Sequence, residues 1–230
     1  MYYGMGFMDP TYFLMIIAVI ISAFAQFKVK STFSSYLRVR NKQGITGREV
    51  ARMILDREGL YDVQIQMVEG TLSDHYDPRT KIVRLSKEVY SGDTIASVSV
   101  AAHEVGHAMQ DAFGYAPLSF RSALAPVVSF SSNFVWIAVM LGIFFSMPAL
   151  INIGIYLFMA TVVFQLVTLP VELNASKRAL AQLENGIVTG DEIPGAKKVL
   201  GAAALTYVAA TIVSVLQLIR LLAMSNRRRD

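Results

Sequence analysis

The segment AAHEVGHAMQ carries the residues of this sequence that are best suited to chemistry: His103 and His107 stand four positions apart, and Glu104 follows the first histidine. Side chains at this spacing share one face of a helix, so both imidazoles can reach a single zinc ion. Glu104 lies next to that face and can act as general base on a zinc-bound water, while the metal polarises the carbonyl under attack. This HExxH pattern predicts a hydrolytic site with one Zn²⁺ ion per chain.

A catalytic zinc ion normally has three protein ligands and one open position, so the motif leaves one ligand to be found. Gln110 and Phe113 occupy the positions at which metzincins carry Gly and His, which excludes that class. Asp111 lies too far along the same helix for its short side chain to reach the metal. We therefore predict Glu172 as the third ligand, with His75 as the rival that would complete a three-histidine site.

The composition is that of a membrane protein. Of the 230 residues, 54% are apolar and only 17% are charged, a balance that nearly excludes a purely soluble enzyme. The absence of cysteine excludes disulfides, thiolate zinc clusters and cysteine nucleophiles, so any metal must be held by histidines and carboxylates. Basic residues flank apolar runs instead of alternating with aromatic ones, which argues against a nucleic-acid partner.

Three apolar runs predict spans of the lipid bilayer. Residues 11–27 are uncharged and form an uncleaved anchor, because no basic segment precedes them and no small-residue cleavage site follows. Residues 126–147 and 148–169 form a transmembrane hairpin that returns the chain to the side it left. The hairpin thus brings Glu172 to the compartment of the HExxH helix, and its lack of ionisable residues argues against a transporter.

The distribution of charge predicts the orientation. Five basic residues follow the first apolar run and none precedes it, which places the N-terminus outside and the rest in the cytoplasm. A fourth run, residues 199–224, ends in three arginines, Arg227, Arg228 and Arg229. Its length favours a span, whereas the arginines favour a helix that stays on the cytoplasmic side, so three or four spans are expected.

The region between the first span and the hairpin reads as a small mixed domain. Thr46 begins an amphipathic helix with a capping box to Glu49, alternating apolar residues predict a two- or three-stranded sheet, and residues 94–113 form the HExxH helix. The expected fold is mainly α with a small β-sheet. The predicted organisation is an anchor at 1–27, a cytoplasmic part at 28–125, the hairpin at 126–169, and a third-ligand helix with a final apolar helix at 170–230.

Three segments together carry a family resemblance: SDHYDPRTKIVRLS, the later SVAAHEVGHAMQ and, beyond the hairpin, VELNAS. They resemble the YugP-like neutral zinc metallopeptidases of bacteria, a group related to HtpX and the CAAX prenyl proteases, and the resemblance covers nearly the whole chain. It implies a zincin-like, gluzincin peptidase domain in a multi-pass protein of the bacterial plasma membrane, with the active site facing the cytoplasm. The implied activity is hydrolysis of peptide bonds in membrane or membrane-proximal proteins.

The resemblance also assigns roles. His103, His107 and Glu172 match the zinc ligands and Glu104 matches the general base. Ser176 stands where many relatives of the wider group carry Asp, which leaves the role of that position open.

Substrate binding is less tightly specified. Gluzincins commonly add an extended peptide to a strand edge, and residues 82–85 are the expected edge here. Tyr207, Arg178 and His75 are the candidates for oxyanion or substrate binding, since each can donate a hydrogen bond. The expected partners are a protein or peptide substrate and the lipid bilayer, and a homo-oligomer or a membrane-protein partner stays open. The alternative function is a membrane scaffold or adaptor whose zinc site is structural or vestigial.

Overall fold

The structure, a computed structural model, describes residues 10–226. Its elements, in chain order, are α1 (Pro10–Tyr36), α2 (Gly47–Arg57), β1 (Gln64–Val68), β2 (His75–Asp77), β3 (Ile82–Ser86), α3 (Lys87–Tyr90), α4 (Ile95–Ala112), α5 (Ala116–Phe144), α6 (Pro148–Gln182) and α7 (Ile193–Asn226). These bounds confirm a mainly α protein with a small β-sheet. The N-terminal flank and the three C-terminal arginines, on which part of the predicted orientation depends, lie outside the described residues.

The chain divides into two units. The membrane unit, as we name it, takes in residues 10–25, 120–169 and 207–226 of the described chain, and the globular unit takes in Gln26–Ser119 and Pro170–Thr206. In the globular unit, α2, the sheet and α4 enclose an apolar core that includes the fully buried Ile54, Leu85 and Val105. The predicted capping box is present: Glu49 N donates to Thr46 Oγ1 at 3.3 Å, and Thr46 N donates to Glu49 Oε2 at 2.7 Å.

The three strands of the described chain pair in the order β1-β3-β2, with β1 parallel and β2 antiparallel to β3. The prediction that residues 82–85 form the substrate-binding edge is therefore wrong, because β3 is paired on both sides. The turn-rich segment before it contains β2, which folds back onto β3 and covers that edge. The edges of this sheet are β1 and β2.

Helix α4 carries the HExxH motif at the predicted place. Thr94 caps its start by accepting a hydrogen bond from Ser97 N at 3.2 Å, and Gly114, with φ of +63°, follows its end in the left-handed region that favours glycine. Fifteen of its residues are buried, so α4 has no exposed polar face. A helix that is apolar on most sides suits the centre of a unit, where both histidines are shielded from water.

Four helices of the described residues are long and apolar enough to cross a membrane, namely those spanning Thr11–Tyr36, Ala116–Phe144, Pro148–Ile187 and Ile193–Ser225. Two of them run through prolines that the sequence places at boundaries. Pro126 lies inside α5 and Pro170 inside α6. The third-ligand helix, expected within residues 170–230, begins instead at Pro148, so Glu172 lies inside it and not near its start. Prolines are tolerated inside long membrane helices, where neighbouring groups satisfy the freed backbone carbonyl.

Inside the membrane unit, small residues and hydroxyls line the helix contacts. A Cβ added to Gly154 of α6 would lie 2.5 Å from Val139 Cγ2 of α5, so glycine permits this close approach. Ser225 Oγ of α7 donates a hydrogen bond to Asn152 Oδ1 at 3.0 Å. Large apolar side chains such as Phe144 and Tyr156 are exposed, which suits contact with lipid.

Candidate metal centre

Three potential metal ligands meet in the globular unit. His103 and His107 come from α4 and Glu172 from α6, and all three are buried. Glu172 Oε2 lies 3.2 Å from His103 Nε2 and 3.5 Å from His107 Nε2. The two imidazole rings stand nearly perpendicular, with centroids 4.9 Å apart. Two residues four positions apart and a third from another helix thus converge on one point.

The donor set and its spacing fit zinc. Zinc bonds of about 2.0 to 2.1 Å in a tetrahedron place neighbouring ligand atoms about 3.3 Å apart, close to the distances from Glu172 to both rings. Burial opposes protonation of His107, but its hydrogen bond to Glu172 and the charge of Glu104 outweigh burial, so the pKa of His107 lies above its ordinary value. The carboxylates therefore favour a positive charge between these groups. Either a proton or a metal cation can provide that charge.

A glycine inside the motif brings the two ligand-bearing helices together. A Cβ added to Gly106 would lie 2.6 Å from the carbonyl oxygen of Ala175 and 3.2 Å from its Cα. Any side chain at this position would push α6 away from α4. Gly106 therefore allows Glu172, one turn before Ala175 on α6, to reach the histidines.

A hydrogen-bonded chain orients His107. Arg178 Nε can only donate, and it lies 2.8 Å from Asn174 Oδ1. Gln110 Nε2 donates to the same oxygen at 3.0 Å and to Val171 O at 2.7 Å. The amide orientation of Gln110 is thereby fixed, and its Oε1 accepts from His107 Nδ1 at 3.0 Å. The neutral His107 ring thus carries its proton on Nδ1, and the lone pair on Nε2 faces Glu172.

His103 has a simpler support. Its Nδ1 lies 3.1 Å from Ser176 Oγ, one turn beyond Glu172 on α6. A serine hydroxyl both donates and accepts, so it holds the ring in place without selecting one tautomer. The position that differs from many relatives of the wider group is therefore in direct contact with a predicted ligand.

Glu104 is buried beside its two histidines, with 8% of its surface exposed. Its charge raises the pKa of His107. It also contributes to the raised pKa of Asp74, for which burial is the larger cause. Asp74 itself accepts hydrogen bonds from Ser86 N at 2.7 Å and Ser86 Oγ at 3.1 Å. The Glu104 carboxylate therefore acts electrostatically on both the metal centre and the residue that precedes β2.

The remaining predicted site residues are His75, Arg178 and Tyr207. His75 is an exposed residue of β2 whose Nδ1 contacts Ser73 O at 2.8 Å, and it is not part of the ligand cluster found among residues 10–226. Among residues 10–226, the hydrogen bonds of Arg178 connect it to the centre through Asn174 and Gln110. Tyr207 belongs to the membrane unit. The sequence analysis did not predict that Gln110 supports His107 or that Gly106 permits the contact of α4 with α6. The position of Gln110, three residues after His107 on the same helix, is a signal that could have indicated its role.

Comparisons with known proteins identify the family of this chain. A family model described as "Putative neutral zinc metallopeptidase" matches residues 11–226. The chain is 49% identical over 219 residues to the "Putative membrane protease YugP" of Bacillus subtilis (strain 168), which covers 95% of this chain and 97% of that protein. No solved structure matches the chain. The extent of both matches shows that the chain belongs to this family of neutral zinc metallopeptidases.

Proposed function

We propose that this protein is a membrane-embedded zinc metalloendopeptidase that cleaves membrane or membrane-proximal proteins. The observation that carries the proposal is the convergence of His103, His107 and Glu172 on one buried point, beside the carboxylate of Glu104. Two imidazoles and a carboxylate are a common ligand set of hydrolytic zinc. A structural zinc site has no need of a fourth ionisable group at this place, whereas hydrolysis needs a base.

Each residue then has a distinct task. His103, His107 and Glu172 hold the zinc ion. When bound, zinc supplies Lewis-acid chemistry, which polarises the scissile carbonyl and makes a water molecule more acidic. Glu104 accepts a proton from the attacking water while the water oxygen bonds to the carbonyl carbon. Glu104 then gives the proton to the amine nitrogen as the C–N bond breaks. Gln110 and Ser176 keep the two imidazoles aligned.

The sheet supports a specific mode of substrate binding. Strand β2 lies at an edge, and its Tyr76 donates a hydrogen bond to Asp111 Oδ2 of α4 at 2.9 Å. An extended peptide can add to β2 through backbone hydrogen bonds, with little selection for side chains. This mode suits a protease that acts on unfolded or extended segments of many proteins.

The proposed setting is the bacterial plasma membrane with the metal centre in the cytoplasm. The five basic residues after the first apolar run support this orientation. Because the chain has no native cysteine, single introduced cysteines report their side without background. The exposed Ser35 and the exposed Ser146, in the turn between α5 and α6, offer a matched pair. In intact cells an impermeant thiol reagent should label Ser146→Cys and spare Ser35→Cys. Labelling of Ser35→Cys alone would show that the protein has the opposite orientation in the membrane.

The test of the enzyme is Glu104→Gln. It removes the base and keeps all three ligands. The variant should therefore retain zinc, and its rate of hydrolysis should fall by a factor of about 100 or more. The readouts are the zinc content of the purified protein and the cleavage products of the membrane proteome. Glu69→Gln, at an exposed glutamate outside the site, is the matched control. Equal cleavage by wild type and Glu104→Gln would exclude the mechanism, and zinc binding without any cleavage by the wild type would favour the scaffold.

A further inference from the structure

An open cavity of about 610 Å³ lies in the globular unit between residues 28–36 of α1 and residues 198–205 of α7. We call it the juxtamembrane groove, because in the chain it follows directly on the first apolar run. Its α7 lining occupies positions 198, 201, 202 and 205, which is the spacing of one helix face, and its α1 lining follows the same rule from position 28 to 36. None of these residues belongs to the metal centre.

Two ammonium groups share the groove without a carboxylate to balance them. Lys28 comes from α1 and Lys198 from α7, and no acidic residue lines the cavity. Within residues 10–226 neither lysine forms an ion pair, whereas the adjacent Lys197 pairs with Glu184 at 3.3 Å. Two unpaired cations at one cavity create a positive potential that favours an anion.

Hydroxyl groups add donors beside the cations. Ser31 and Ser35 donate to backbone carbonyls of their own helix, at 3.1 Å to Lys28 O and 2.7 Å to Ser31 O. Thr32 and Tyr36 also line the groove, and neither hydroxyl has a hydrogen-bond partner in the described part of the chain. Two ammonium groups and two available hydroxyl donors form a set suited to the oxygens of a phosphate group.

Gly201 keeps the α7 side of the groove open. Glycine in a helix interior is less favourable than alanine. In the same unit, the helical glycines Gly106 and Gly195 are explained by contact, because an added Cβ would lie 2.6 Å from Ala175 O and 2.9 Å from the Tyr36 ring. An added Cβ at Gly201 meets nothing within 4 Å. The packing within the described residues does not need this glycine, and the missing side chain leaves room in the groove.

We propose that the juxtamembrane groove binds a phosphate group, supplied by the headgroup of an anionic phospholipid. Lys28 is the first residue after the apolar run of residues 11–27, so the groove begins where α1 leaves the hydrocarbon core. Anionic headgroups are concentrated at that depth, and basic residues near the surface bind them. Ala202 and Leu205 give the groove an apolar side for the upper part of the lipid. This proposal is independent of the proposed hydrolytic activity.

The test is native mass spectrometry of the purified full-length protein with phosphatidylglycerol or phosphatidylcholine. The wild type should retain phosphatidylglycerol preferentially, and Lys28→Ala/Lys198→Ala should lower this retention about tenfold. Lys30→Ala/Lys197→Ala is the matched control, because it removes the same charge from adjacent positions that do not line the groove. Gly201→Leu, which keeps both cations and fills the groove, should also lower retention.

Two results of the lipid measurement would overturn the proposal. One is an equal loss of lipid in the control pair, which would show that only the general charge of the region matters. The other is unchanged lipid retention in Gly201→Leu. A parallel measurement with inorganic phosphate separates the two sources of the ligand. If the double variant loses binding of inorganic phosphate while phosphatidylglycerol retention stays the same, the lipid assignment is wrong. Thermal unfolding of each variant in detergent checks that the fold is retained.

Discussion

The two histidines of the metal centre are supported in different ways. The support of His107 consists of Gln110, Asn174 and Arg178, which form a chain anchored on the backbone of α6. The support of His103 is the single hydroxyl of Ser176. Gln110 is completely buried and fixes both the orientation and the tautomer of its histidine. Ser176 fixes position alone, because a hydroxyl can donate or accept.

This difference indicates where the centre tolerates change. A rigid amide whose every donor and acceptor is used cannot be replaced without leaving a buried polar group unpaired. A hydroxyl can either donate or accept a hydrogen bond, so its replacement should lower metal affinity less. We therefore expect the His107 support to dominate metal affinity, and the following changes test that order from the largest effect to the smallest.

The largest effect should come from Glu172→Ala, which removes the one carboxylate that both histidines share. Without it, two imidazoles remain and zinc should be lost from the purified protein, as measured by elemental analysis. His75→Ala is the comparison, because His75 is exposed and lies outside the ligand cluster. Loss of zinc in His75→Ala together with full zinc in Glu172→Ala would contradict the site as a whole.

Gly106→Ala should come next, because the added Cβ would meet the Ala175 backbone at 2.6 Å. We expect the free energy of unfolding to fall by about 1–3 kcal/mol through overpacking. Hydrolysis should fall about 100-fold, since displacement of α6 misplaces Glu172. Gly201→Ala is the control at a helical glycine with open space, where stability should hold or rise. Equal stability of the two variants would show that α4 and α6 leave room for a Cβ at position 106.

Gln110→Leu removes the amide that connects His107 to α6. The expected result is a loss of zinc affinity of about 10- to 100-fold, measured by chelator competition, with the fold retained. Gln110→Glu refines the test. Its carboxylate still accepts from His107 Nδ1 but cannot donate to Val171 O or Asn174 Oδ1, so the affinity should fall to an intermediate value. An affinity equal to that of the wild type in both variants would show that His107 does not need this support.

The smallest effect should come from Ser176→Ala, with a loss of zinc affinity of about tenfold or less. Ser176→Asp should instead raise the zinc affinity, because a carboxylate only accepts hydrogen bonds and would fix the proton of His103 on Nδ1. Competition with the same chelator measures both variants. A larger loss in Ser176→Ala than in Gln110→Leu would reverse the order of the two supports.

Local patterns made several features predictable. The apolar spacing of residues 94–113 predicted the helix that carries the HExxH motif, and the spacing of His103 and His107 predicted that both rings share one face. The placement of Glu172 in the same cluster was expected from two arguments: a chain that crosses a bilayer twice returns to its starting side, and the family resemblance puts a ligand there. The role of each residue in catalysis stays a prediction until the variants are measured.

Predictions failed where pairing partners decide the outcome. Residues 82–85 read as an edge strand because alternation of apolar residues shows which face is buried and not how many strands pair with it. Pro170 read as the start of a helix because its local effect is to remove a hydrogen bond, but α6 continues through it. The covering strand is β2, which lies just before β3 in the chain and pairs with it from Asp77 opposite Ile82 to His75 opposite Arg84.

By itself, the sequence determined which groups are available for chemistry and which segments could span a membrane: two histidines and a glutamate on one helix, no thiolate ligands, and long apolar runs. These features depend on residue type and on spacings shorter than a few helical turns. Only the tertiary structure decided how α4 and α6 meet, that Gly106 permits the contact, and that Gln110 and Ser176 support the two rings differently. The reason is physical: a close helix contact and a hydrogen-bonded chain depend on distances between residues more than sixty positions apart, and no local pattern encodes those distances.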